Sequence, residues 1–108
     1  MSDAPTITLL DAHGAAYGEP GRTRRCYRLE GGALAPQWAA EVREGEVAWC
    51  EISVWGDGDE RHVGSYGGEV WPTAWPQLFV PASTHGAALR ITPAGLAALD
   101  AALPVLPA

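Results

Sequence analysis

A chain of 108 residues has room for one hydrophobic core, but not for two that would each be stable alone. With 47% hydrophobic and 19% charged residues, its composition is that of a globular protein and excludes disorder as the default state. A formal net charge of −6 excludes a protein that holds nucleic acid by charge alone, because phosphate binding needs a basic face.

Thr6-Ile7-Thr8-Leu9-Leu10 reads as a first strand, with Asp11-Ala12-His13-Gly14 as the turn after it. Ala15 to Tyr17 suggests a short partner strand before Gly18-Glu19-Pro20-Gly21 breaks the pattern. Arg22 to Leu29 is the second strand. Its Tyr27 and Leu29 share the inward face with Thr23 and Arg25, while Arg22, Arg24, Cys26 and Arg28 look outward. Residues 35–43 admit two readings. Pro36 can open a short helix through Glu41, or Trp38 to Arg43 can form the first arm of a hairpin that turns at Glu44-Gly45. The hairpin is preferred, because its second arm, Glu46 to Trp55, is the strongest strand pattern in the chain. Ala48, Cys50, Ile52 and Val54 give that strand a uniformly apolar face; Val47, Trp49, Glu51, Ser53 and Trp55 give it a mixed one.

Gly56-Asp57-Gly58-Asp59 is a turn and Arg61 to Tyr66 a return strand. In Trp71-Pro72-Thr73-Ala74-Trp75-Pro76 each proline biases the tryptophan before it toward an extended backbone, which points to partial exposure of both rings. Gln77 to Val80 is a brief strand ending at Pro81, and Leu89-Arg90-Ile91 is the last one. Thr92 caps a C-terminal helix at about 93–103, with Pro93 in its first turn and Leu96, Leu99 and Leu103 on one side. The other side is almost all alanine, so the helix is expected to be covered there too, within the fold or in a homodimer. The fold class expected is α+β: one compact domain over 1–108, a twisted antiparallel sheet of five to seven short strands, and one C-terminal helix.

All five tryptophans lie between Trp38 and Trp75, in a chain with one phenylalanine and one methionine. Each indole can remove roughly 150–250 Å² from water, so this third of the chain is both candidate core and candidate working surface. Arginine carries all the positive charge; lysine and asparagine are absent, the usage of a GC-rich bacterial or phage genome. Arg22, Arg24, Arg25 and Arg28 make a basic stretch, and Glu44, Glu46, Glu51, Asp57, Asp59 and Glu60 an acidic one. The bland explanation of both is solvated strand faces and loops; the sharper one is a polarised surface that steers a charged partner.

Neither a secretory leader nor a membrane span is legible, so a cytoplasmic location is expected. Cys26 and Cys50 are then reduced thiols filling core volume, although neighbouring strands would make a disulfide geometrically conceivable. With His62 and His85 they form a chemically sensible zinc set, but none is paired at the close spacing that zinc sites use. Asp57, Asp59 and Glu60 look like a fragment of a calcium loop whose remaining oxygen ligands are missing. The histidines (His13, His62, His85), Ser65 and Ser83 lack a sharp nucleophile turn or a spaced base. Glu41, Glu46 and Glu51 have nothing to fix an acid–base separation. Gly64, Gly67 and Gly68 precede no helix and lack the lysine of a phosphate loop. No cofactor, metal or catalytic activity is expected.

Ala88-Leu89-Arg90-Ile91-Thr92-Pro93-Ala94-Gly95-Leu96-Ala97-Ala98-Leu99 resembles the wing strand and following helix of winged helix-turn-helix regulators. That resemblance would imply DNA binding through the basic stretch, but it lacks the upstream helix pair that enters a groove. The chain is similar in character, without a shared motif, to small inhibitors carried by mobile elements, such as anti-CRISPR proteins. The expectation is a non-enzymatic acidic module that binds a protein partner with a basic surface, with no direct nucleic-acid or membrane ligand. Glu44, Glu46, Glu51, Asp57, Asp59 and Glu60 would contact the partner's cations, and Trp49, Trp55, Trp71 and Trp75 would anchor it. A DNA-binding regulator and a phage assembly protein are the alternatives.

Overall fold

A computed structural model of the chain describes residues 4–13, 24–82 and 89–104. Four strands form an antiparallel sheet: β1 (Thr6–His13), β2 (Arg24–Glu30), β3 (Trp49–Trp55) and β4 (His62–Gly68), in the spatial order β4-β3-β2-β1. A short hairpin, β5 (Phe79–Pro81) with β6 (Leu89–Ile91), makes a second sheet. The two-residue strand β7 (Leu103–Pro104) pairs in parallel with β1 at the far edge of the main sheet. The helices are α1 (Pro36–Ala39) and α2 (Pro93–Asp100). The α+β class and the C-terminal helix are as the sequence indicates.

The core lies against one face of the main sheet. Registers Leu29↔Cys50 and Tyr27↔Ile52 set the inward residues of β2 and β3 side by side, and Val54 continues the row. All five are buried, as is Ala48 just before β3. The covering layer comes from residues 70–79, with Val70, Ala74, Trp75, Leu78 and Phe79 all buried, and from Ile91 and Leu99. Alternation alone dictates this: strand side chains point to opposite faces in turn, so an apolar set at every second position can be buried only together.

Trp75 reverses an expectation. Its ring is 2% exposed, not partly open, and its Nε1 donates to the Gly31 carbonyl at 2.9 Å. Two features bring it inside. Pro72 opens a 3-10 turn over Pro72–Ala74 that carries the next residue under the sheet. Gly31, at φ +71°, ends β2 in a turn that only glycine adopts cheaply, which presents the accepting carbonyl. Burying an indole of this size contributes on the order of 4–6 kcal/mol of gross hydrophobic stabilisation, an upper bound. Trp71, by contrast, has the extended backbone expected before proline, φ −93° and ψ 159°.

Three further expectations are corrected. The hairpin over 38–55 does not form: Pro36 starts the four-residue α1, and β3 begins only at Trp49. Strand β1 runs past Leu10 to His13: Leu10 is the extra residue of an irregularity in register between Leu9 and Asp11, and Asp11 pairs with Cys26 instead of turning. Helix α2 stops at Asp100, because Leu103 and Pro104 leave it to pair with β1. Its cap is the expected one: the Gly95 N–H donates to Thr92 Oγ1 at 3.0 Å, while that hydroxyl donates to the Gln77 carbonyl at 2.6 Å. The alanines are covered only in part: Ala98 and Ala102 pack against the core, while Ala94, Ala97 and Ala101 are exposed. The proposed strand at Ala15–Tyr17, and Arg22, His85 and the side chain of His13, lie outside the described residues.

Candidate functional site

The outer face of β2 and β3 holds the mixed row that the sequence singled out. Arg28 stacks its guanidinium 4.2 Å from the centre of the Trp49 ring and donates to Glu51 Oε2 at 2.9 Å. Its Nε is 3.3 Å from Glu30 Oε1, so one arginine ties an indole and two carboxylates together. Further along, Ser53 is buried although it faces outward. It takes a hydrogen bond from Ser65 Oγ at 3.0 Å and one from Arg24 Nη2 at 3.3 Å, and Cys26 Sγ lies 3.9 Å away. These groups floor a shallow depression of about 360 Å³. Trp55, at the end of the row, lies on the backbone of β4, where a Cβ at Gly64 would strike the indole ring. Both Trp49 and Trp55 are half-buried.

The acidic residues are all exposed, but they do not make one strip. Asp57, Asp59 and Glu60 occupy the turn between β3 and β4, and Asp57 lies 3.6 Å from Arg25. Glu44 and Glu46 occupy the approach to β3, at its other end, roughly 20 Å away by strand rise. Glu51 lies between them, engaged by Arg28. A run of charges in sequence becomes two separate groups because β3 itself runs between them.

Among the described residues the larger exposed apolar side chains are Leu10, Val47 and Trp71. Trp71 is 56% exposed. Trp38 braces it at 5.8 Å between ring centres with a 46° tilt, and Tyr66 meets it edge-on at 6.2 Å and 61°. Val70, buried between Glu69 and Trp71, turns both of those outward. Glu69, Glu46 and Glu41 line a depression of about 420 Å³ with Val42, Val70 and one cation, Arg43. Val47, also 56% exposed, borders the adjoining hollow, which shares Val42 and Glu46. Of the expected anchors, therefore, Trp71 is the open one and Trp75 belongs to the core. Glu69 was missed, although its alternation with Val70 and Trp71 was readable. Glu41, three residues beyond Trp38, stands out in the sequence only as a possible acid–base group.

The two thiols face opposite ways. Register places Cys26 opposite Ser53 and Cys50 opposite Leu29, three rungs away, and both are free. A separation near 10 Å exceeds the roughly 7 Å that a disulfide can span. Burial pushes the Cys50 thiol up to about 12, which keeps it protonated and unreactive. Among the described residues no three His, Cys, Asp or Glu side chains gather as metal ligands. No helix among them is long and apolar enough to cross a membrane. No protein-family model matches the chain, and no curated protein or solved structure is significantly similar to it.

Proposed function

We propose that this protein is a non-enzymatic binding module of the cytoplasm that docks a protein partner with a basic surface, through the end of the sheet bearing Trp71 and Val47. Trp71 carries the reading: a half-open indole braced by two aromatic neighbours, next to a hollow lined by Glu41, Glu46 and Glu69. Such a ring offers a large apolar area at little entropic cost, and the surrounding carboxylates raise the encounter rate with a cationic surface. Glu44 adds to the same end of the molecule. Asp57, Asp59 and Glu60 lie away from it and contribute steering rather than contact. In character this is a small inhibitor of a nucleic-acid-binding machine, of the kind carried by mobile elements.

Affinity capture from a bacterial lysate, read by mass spectrometry, tests the assignment. Trp71→Ala and the pair Glu46→Arg/Glu69→Arg are expected to lose partners that the wild type retains, while Asp57→Arg/Asp59→Arg keeps them. An identical set of captured proteins from all four sinks the reading. Direct nucleic-acid binding has less support, because Arg24, Arg25 and Arg28 are engaged by Ser53, Asp57 and Glu51. A homodimer through the exposed alanines of α2 is part of the same proposal. Sedimentation should show mass rising with concentration, and a monomer throughout removes that part.

A further inference from the structure

We infer that the partner meets Trp71 with an arginine, whose guanidinium lies flat on the indole while Glu69 and its neighbouring glutamates accept the N–H groups. The inference rests on the docking face proposed above and names what that face recognises. The molecule contains its own example of the chemistry. On the outer face of the sheet, Arg28 covers Trp49 at 4.2 Å and is held by Glu51 at 2.9 Å and Glu30 at 3.3 Å. The Trp71 end repeats the receiving half of that arrangement: an indole fixed in orientation, following Val70 in the chain, which lines the neighbouring hollow with Glu69, Glu46 and Glu41. Among the described residues no cation stacks on Trp71. The three glutamates outnumber Arg43, so the hollow keeps a negative balance.

The chemistry selects arginine over the other occupants. An apolar side chain seated here would strip water from carboxylates and return no hydrogen bond. A lysine ammonium satisfies the charge but is a compact, strongly hydrated point with no flat face. A guanidinium stacks on the ring and presents donors in its plane at once.

The test uses the whole protein labelled with ¹⁵N and a short capped peptide carrying arginines separated by glycine, with lysine and citrulline versions of the same peptide. The Trp71 indole N–H resonance is identified by its absence from the Trp71→Ala spectrum. The arginine peptide is expected to move that resonance, the lysine peptide to bind roughly threefold more weakly or worse, and the citrulline peptide not to move it. Glu46→Gln/Glu69→Gln keeps the indole and should weaken the arginine peptide by about the same factor, which covers a Trp71 variant that fails to fold. Equal affinity for arginine and citrulline, equal affinity for arginine and lysine, or shifts confined to the other indoles overturns the inference. Capture of a partner that depends on Trp71 without this peptide discrimination leaves the docking face standing and the arginine wrong. Discrimination without any captured partner does the reverse.

Discussion

At the scale of single residues, the tightest constraint is Gly95. A Cβ there would collide with the Leu78 carbonyl oxygen and stand 2.9 Å from Ile91 Cγ2. Alanine is worth about 1 kcal/mol more than glycine inside a helix, but the collision is with backbone, and overpacking of that kind costs about 1–3 kcal/mol. The helix propensity is outweighed, so Gly95→Ala should lower the melting temperature; an unchanged or higher value in a thermal melt would refute the packing argument. The thiols give a second forecast. Cys26 is half-exposed and Cys50 is fully buried with its thiol held protonated. Alkylation of the native protein is therefore expected to modify Cys26 alone, with Cys50 reacting only in denaturant, and equal native rates would contradict it.

Between elements, the strut from Arg61 to the last residue of α2 is the feature with a pH signature. Arg61 donates to both oxygens of Asp100, at 2.7 and 3.2 Å, and to the Gly58 carbonyl at 2.6 Å. A carboxylate at a helix C-terminus opposes the dipole, and the guanidinium offsets that conflict while tying the β3–β4 turn to α2. The hydrogen bond from Arg61 holds the Asp100 carboxyl below its ordinary value of 3.8. A folded pKa below the unfolded one means that the strut contributes fully above 3.8 and fades as the pH falls below it. Asp100→Asn should be less stable than wild type at neutral pH, with the gap in urea midpoint closing in acid. Parallel curves would rule the strut out. The elements also mark what the sequence made legible. Strand β3 was readable because alternating Cys50, Ile52 and Val54 leave one burial solution, and α2 because Thr92 and Pro93 announce its start. The end of α2 was not, since Leu103 continues the helical spacing yet is claimed by β1, a long-range pairing. Nor was α1, where Pro36 allowed both outcomes and tertiary packing around Trp38 decided.

Across the whole molecule, the functional reading turns on which acids share an end with which ring. Nearness in sequence suggested that Glu46, Glu51 and Asp57 act together; the sheet separates them and sets Glu46 beside Glu69 instead. Trp71, Glu44 and Glu46 of the candidate docking face were therefore readable, while Glu69 and Glu41 required the fold. Salt offers a discriminating test of that face, because exposed charges are screened within about 8 Å at physiological ionic strength. Partner capture should weaken as salt rises, and less so in Glu46→Gln/Glu69→Gln, which keeps Trp71 and removes two of the charges.

Three residues separate Trp71, open to water, from Trp75, sealed beneath the sheet. The two make unlike chromophores: one senses whatever lands on the molecule, the other whether the scaffold beneath is still assembled. Occupancy and integrity can thus be followed in one sample, using probes the chain already carries.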